Sequence, residues 1–261
     1  MVAFVSPYPS SQSHDVMQDS AGTAVQLSDL RFAWRPEDNP VLEIHALAIP
    51  CGQRVFMAGS SGCGKSTLLG LLAGIAKPQA GSVRVLGHRL EQMNGAARDR
   101  FRADHMGMIF QMFNLIPYLT VVENVTLPCR FSRRRYERAN YNGGVQADAV
   151  RLLSRLGMSD RTLLNRPVTE LSVGQQQRVA AARALIGEPE ILIADEPTSS
   201  LDAELREEFI RLLFEACRRK PTTLIFVSHD KSLASLFDHT LRLPEVNLAG
   251  TAAADHAKET S

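Results

Sequence analysis

The chain has 261 residues, 44% of them apolar and 22% charged, and its 29 Lys and Arg against 28 Asp and Glu leave a net charge of +1. That composition suits one large globular domain or two small ones, with enough chain to bury a sizeable core. It argues against wholesale disorder, and the charge balance argues against a dedicated nucleic-acid binder, which would show a basic excess.

In chain order, residues 1–23 are rich in Ser, Pro, Gln and Asp and read as a disordered N-terminal arm. Their first fifteen residues lack the basic start and long apolar run of a secretory signal. Residues 26–32, 41–49 and 54–58 read as strands, 65–73 as a helix, and 82–86 and 106–110 as short strands. The stretch from about 113 to 165 breaks this rhythm and reads as an inserted helical subdomain; it holds an Arg-rich run, 130–138. Within it, Val150, Leu153 and Leu156 recur at helical spacing. An Ala-rich helix is expected over 173–186 and a buried parallel strand over 190–194. An amphipathic helix over 202–219 follows, with Leu205, Phe209, Leu212, Leu213 and Ala216 on its apolar side, then a buried strand over 222–227. Residues 246–261 read as a flexible tail, which leaves 24–245 as the folded domain. Strands alternating with helices predict an α/β fold with a mainly parallel sheet core.

No repeat of 20–50 residues is visible, so a solenoid is not expected. No apolar stretch reaches the roughly 18–20 residues of a membrane span, so the chain is not expected to cross a bilayer itself. Cys51, Cys63, Cys129 and Cys217 form no CxxC, which argues against a disulfide scaffold and the common zinc patterns. A reducing cytosolic setting is the default.

Gly59, Ser60, Ser61, Gly62, Cys63, Gly64, Lys65 and Ser66 fit the pattern G-x-x-x-x-G-K-[ST] between an expected strand and an expected helix. By average residue usage such a match arises by chance in about one chain of this length in a hundred. The glycines let backbone N–H groups converge on phosphate oxygens, and the helix adds its positive end. Lys65 would reach the β/γ-phosphates and Ser66 would offer its hydroxyl to Mg²⁺. Thr67, next on the helix, completes this set of nucleotide-binding candidates. Cys63 reads either as a small residue filling a tight loop or as a redox-sensitive thiol among phosphate-binding amides.

Four apolar residues end in Asp195 and Glu196. A buried strand delivers Asp195 to its carboxyl end, where open α/β sheets bind ligands. There Asp195 can hold Mg²⁺ through water and Glu196 can orient or deprotonate an attacking water. Ser172 and Gln175 have the spacing of a capping box, and so do Thr120 and Glu123.

Further segments accompany these motifs, and together they resemble the ATP-binding subunits of ABC transporters over about residues 25–243. Leu171, Ser172, Val173, Gly174 and Gln175 resemble the ABC signature, with Val173 where Gly is usual. Gln111 resembles the Q-loop glutamine, Asp202 the D-loop aspartate and His229 the switch histidine, while Trp34 stands where the family places a ring against adenine. The resemblance implies a P-loop NTPase fold with an antiparallel β subdomain beside the parallel core. It implies ATP and Mg²⁺ as cofactors, with Ser66, Gln111 and Asp195 at the metal and Glu196, His229 and Gln111 in catalysis. It also implies a homodimer in which the helix start at Ser172, Gly174 and Gln175 meets nucleotide bound by the other copy, with Asp202 a further nucleotide-binding candidate.

Gln111 is followed by an apolar loop containing Phe113, Leu115, Ile116, Tyr118 and Leu119, which reads as a partner surface or as packing within the helical subdomain. This segment and 171–185 resemble the lipoprotein-release and macrolide-export branch. That likeness implies a separate membrane permease of the cell-division type, a place on the cytoplasmic face of the inner membrane, and no nucleic-acid partner. Arg130, Arg133, Arg134, Arg135 and Arg138 read either as a solvated face or as a basic patch for anionic lipid headgroups. The competing functions are a soluble ABC ATPase acting on DNA or ribosomes, and a regulatory ATP switch that moves no substrate.

Overall fold

The computed structural model describes residues 22–141, 143–218 and 221–249. The expected N-terminal arm up to residue 21 and the expected tail from residue 250 lie outside the described residues. In chain order the elements are β1 (Thr23–Phe32), β2 (Leu42–Pro50), β3 (Arg54–Ala58), α1 (Lys65–Leu72), β4 (Ala80–Val85), β5 (His88–Arg89) and α2 (Gly95–His105). There follow β6 (Met106–Ile109), α3 (Val121–Thr126), α4 (Pro128–Phe131), α5 (Arg133–Tyr141), α6 (Val145–Arg155) and α7 (Val173–Leu185). The last are β7 (Ile191–Asp195), α8 (Ala203–Cys217), β8 (Thr223–Val227), β9 (His239–Arg242) and α9 (Leu243–Val246). The chain divides into two compact units, residues 1–98 with 229–261, and residues 99–228.

In the first unit, β2, β1, β4 and β5 form an antiparallel sheet in that order. Apolar residues of β1 such as Val25, Leu27, Leu30 and Phe32 are buried, while Asp29 and Arg31 are exposed. That is the near-alternation of a sheet covered on one face. Asp29 takes φ 46° where the register with β4 shifts. A side chain at Gly81 would run into the Ser28 and Asp29 carbonyls, so glycine permits this close approach. In the same unit β3 pairs in parallel with β9, and four of its five residues are buried.

In the second unit, β6, β7 and β8 run parallel in that order. Every residue of β8 and the first four of β7 are buried, which is why these strands read as unbroken apolar runs. α7 packs directly on β6: a Cβ at Gly107 would collide with the Ala184 carbonyl. The helices α3, α4, α5 and α6 lie in the stretch expected to be a helical subdomain.

Candidate active site

In the first unit the loop leaving β3 holds the phosphate-loop residues. Gly62 and Gly64 have φ of 80° and 99°, which strains any other residue type. Gly64 is also pressed from behind, since a Cβ there would lie 2.7 Å from Leu42 Cδ2. Gly64 caps α1 and has no side chain with which to do so, leaving first-turn amides for an acceptor from outside the helix. Lys65 Nζ donates to the carbonyls of Gly59 at 2.7 Å and Ser60 at 3.0 Å, so the ammonium lies across the loop. Ser60, Ser61, Gly62 and Ser66 are exposed; Gly59, Cys63 and Thr67 are half-buried. Cys63 Sγ occupies the space a Cβ at Gly59 would need, which fits a small residue filling a tight loop.

Trp34 lies just beyond β1 and is 67% exposed, whereas Phe32, two residues earlier, is 6% exposed. The two rings meet edge-on with centroids 5.1 Å apart. Gln79, absent from the sequence-based candidates, fixes the base of this turn. Its Oε1 accepts from Ala33 N–H at 2.6 Å and its Nε2 donates to Ala33 O at 3.0 Å. His229 is exposed in the same unit.

In the second unit Asp195 ends β7 opposite Val227 of β8. Glu196 follows with φ 47°, an unusual left-handed backbone for a residue with a side chain. Its N–H donates to Val227 O at 3.0 Å, and its carbonyl accepts from Ser199 N–H at 3.2 Å. The next turn is held by Gln177, fully buried on α7, whose Nε2 donates to Pro197 O at 2.8 Å. The only sequence signal for Gln177 was a polar residue on the inner side of an Ala-rich helix.

Ser172 caps α7 with the expected capping box: its hydroxyl accepts from Gln175 N–H at 3.3 Å, and its own N–H donates to Gln175 Oε1 at 3.0 Å. Val173 is half exposed at the first helical position. A Cβ at Gly174 would meet nothing within 4 Å. Asp202 caps α8, accepting from Leu205 N–H at 3.0 Å.

Gln111 is exposed just past β6. The chain then turns through two left-handed residues, Phe113 and Asn114, at φ 57° and 49°. Arg183 of α7 holds both carbonyls of this turn at 2.6 Å each. Burial lowers the Arg183 pKa from its ordinary value. The apolar loop beyond does not present one face. Phe113 packs inward, Leu115, Ile116 and Leu119 are half-buried, and Tyr118 points out with Met112, at 83% and 80% exposure. Buried Asn124 braces the loop: its Oδ1 accepts from Ile116 N–H, and its Nδ2 donates to the carbonyls of Ile116, Leu119 and Thr120. The second expected capping box, Thr120 with Glu123, opens α3.

Arg130, Arg133 and Arg134 are exposed, and the reading of the arginine cluster as a surface is corrected at Arg135 of α5. Arg135 is 3% exposed and donates to the carbonyls of Ala184, Ile186, Met106 and Arg183 at 2.6, 2.7, 3.2 and 3.3 Å. Burial pushes its pKa down to about 10, so it stays charged at the carbonyl-rich end of α7. Arg134 and Arg138 bind Glu190 at 2.6 and 2.7 Å, and His105 Nδ1 lies 3.1 Å from the same carboxylate. Arg133 pairs with Glu137. A run of arginines spaced round a helix cannot face one way: Arg135 is interior, Arg138 is half-buried, and Arg133 and Arg134 stay exposed.

Among known proteins, a family model described as ABC transporter matches residues 42–199. The uncharacterized ABC transporter ATP-binding protein YbbA of Escherichia coli K12 is 43% identical over 197 residues, 76% of this chain and 83% of its own. The lipoprotein-releasing system ATP-binding protein LolD of Chromohalobacter salexigens is 36% identical over 214 residues, 82% of this chain and 87% of its own. The dimeric structure of MJ0796, a bacterial ABC transporter cassette, matches with a TM-score of 0.71 at 31% identity, over 84% of this chain and 94% of that one. The same cassette in a post-hydrolysis state bound to ADP and Pi gives 0.68 with the same identity and coverage.

Proposed function

This chain belongs to the ABC transporter family as an ATP-binding, ATP-hydrolysing subunit, and from that premise we propose that it works as a homodimer driving a separate membrane permease. The observation that carries the reading is Glu196, held with a left-handed backbone directly after Asp195 at the carboxyl end of a buried parallel strand. We read the Glu196 side chain carried by that turn as the carboxylate that positions water for hydrolysis, so that the site hydrolyses nucleotide rather than only sensing it.

In this reading the amides of residues 59–66 and Lys65 take the phosphates, and Trp34 stacks on adenine. His229 and Gln111 orient the water and γ-phosphate. Mg²⁺ would be held by Ser66, Gln111 and Asp195, and when bound it would neutralise phosphate charge. Those are hard oxygen donors with a single carboxylate, the set Mg²⁺ uses when phosphates complete its shell. Among the described residues no three His, Cys, Asp or Glu side chains cluster to hold a metal, so a protein-only cage is not the alternative. Gly174 supports the dimer. Its surroundings within the chain are open, with nothing within 4 Å of a Cβ built there, which leaves room for a ligand or second copy. With Ser172, Gln175 and Asp202 it would meet nucleotide held by that copy.

No helix among the described residues is long and apolar enough to cross a membrane. Transport would therefore need a separate permease, which we infer to be of the cell-division type, with this chain bound to it at the cytoplasmic face of the inner membrane. We propose lipids, lipoproteins or hydrophobic compounds as cargo; relatives named for lipoprotein release support the lipoprotein part of that class. The test is Glu196→Gln expressed in its native cell, held in ATP and purified from membranes in mild detergent. A stoichiometric permease supports the reading. Recovery only from the soluble fraction with ribosomes or DNA would replace it with the soluble alternative.

A further inference from the structure

The carboxyl-terminal segment of the first unit reaches the phosphate loop. Asn247 is 8% exposed, although it falls in the stretch expected to be a tail. Its Oδ1 accepts from Glu43 N–H at 2.8 Å and Ala249 N–H at 3.3 Å. Its Nδ2 donates to Val41 O at 3.0 Å and Cys63 O at 3.3 Å. Leu248 N–H adds a bond to Glu43 O at 2.8 Å, and Asn247 N–H closes onto Leu243 O at 2.9 Å. One amide side chain therefore joins three stretches of chain: the start of β2, the phosphate loop and residues 247–249.

The bond to Cys63 matters because of peptide geometry. In a planar trans peptide the C=O and the following N–H point in opposite directions. Holding the Cys63 carbonyl toward Asn247 thus aims the Gly64 N–H the other way. Gly64 has no Cβ to fix its own dihedrals, and its φ of 99° belongs to a wide permitted region. Leu42 leaves no room for a Cβ at this position, so the residue stays glycine and its dihedrals stay free. We propose that Asn247 is a positioning residue for nucleotide: through the Cys63 carbonyl it sets the direction of the Gly64 amide and so the affinity of the loop for phosphate. This rests on the reading of residues 59–66 as the phosphate loop.

The test compares Asn247→Ala and Asn247→Asp with Lys65→Ala in the full chain, measuring Kd for ATP and ADP, KM, kcat and Tm. Both Asn247 variants lose the donor to Cys63. We expect Kd and KM to rise about tenfold with kcat nearly unchanged, the size of one to two hydrogen bonds. Asp keeps the shape and the acceptor, so it decides the matter if Ala does not fold. A lowered Tm and active fraction with unchanged KM would mean a merely structural strut and overturn the proposal. Wild-type affinity in folded Asn247→Asp, with binding lost in Lys65→Ala, would overturn it alone. Unchanged affinity in Lys65→Ala would instead remove the phosphate-loop reading beneath it.

Discussion

Trp34 is the single tryptophan of the chain, so intrinsic tryptophan emission reports on one ring. Its exposure leaves a face open for stacking, while its edge contact with Phe32 steadies it. ATP should change the emission on titration, and Trp34→Ala should raise KM about tenfold or more, the scale of one base-stacking contact. A flat titration would count against adenine stacking. A second aromatic residue, Phe32, lies two positions before Trp34 in the sequence. The structure separates them by burial: Phe32, the last residue of β1, packs inward while Trp34, beyond the strand, is exposed. Gln79 and Asn247 could not be read at all. Their partners lie 46 and 184–206 residues away, and an amide side chain carries no periodic signature of such a contact.

At the scale of elements, α5 is clamped to the end of α7 by Arg135. Arg135→Ala would leave four carbonyls without this donor and should cost about 3–5 kcal/mol. Arg135→Lys should recover only part of that, because an ammonium cannot span the same set of carbonyls as a planar guanidinium. Chemical denaturation of the three proteins checks both statements. Glu190, at the start of β7, gives a pH dependence. Burial pushes its pKa up, but hydrogen bonds from His105, Arg138 and Arg134 outweigh burial and hold it well below the ordinary glutamate range. The carboxylate is therefore favoured in the folded state. Its stabilisation is complete above the ordinary value and is lost as pH falls through the folded one. Glu190→Gln should lower Tm at neutral pH and flatten the acid side of the Tm–pH curve. A parallel drop at all pH values would contradict this account. β7, β8 and α7 were legible because burial writes an apolar run or an Ala-rich stripe into the sequence, whereas the short strands β5 and β9 left no such run and were not read. α5 was not, because four arginines in nine residues look solvated whether or not one of them is interior.

For the whole molecule, Glu196→Gln in ATP should elute at twice the chain mass, and removal of nucleotide should return it to one. Light scattering after size exclusion checks this, and a monomer at high concentration would remove the sandwich. Gly174→Ala separates folding from assembly. With space around the position and a better helix former in place, Tm should hold or rise by a degree or two, while ATP-driven dimerisation weakens. Unchanged dimerisation would leave Gly174 without a role at an interface. The nucleotide motifs were visible in sequence because the chemistry demands fixed residue types at short spacing. The cargo was not, since nothing in an ATP-hydrolysing subunit must touch it.

The left-handed turn at Glu196 sets stability against turnover at one position. A side chain costs about 1–2 kcal/mol in that backbone conformation, and glycine does not incur it. A library selected only for heat resistance should therefore converge on Glu196→Gly, giving proteins that melt later than Glu196→Ala and do not turn over ATP. Selection that required growth would hold the glutamate in place. The difference in melting between those two variants would measure how much durability this chain gives up to remain an engine.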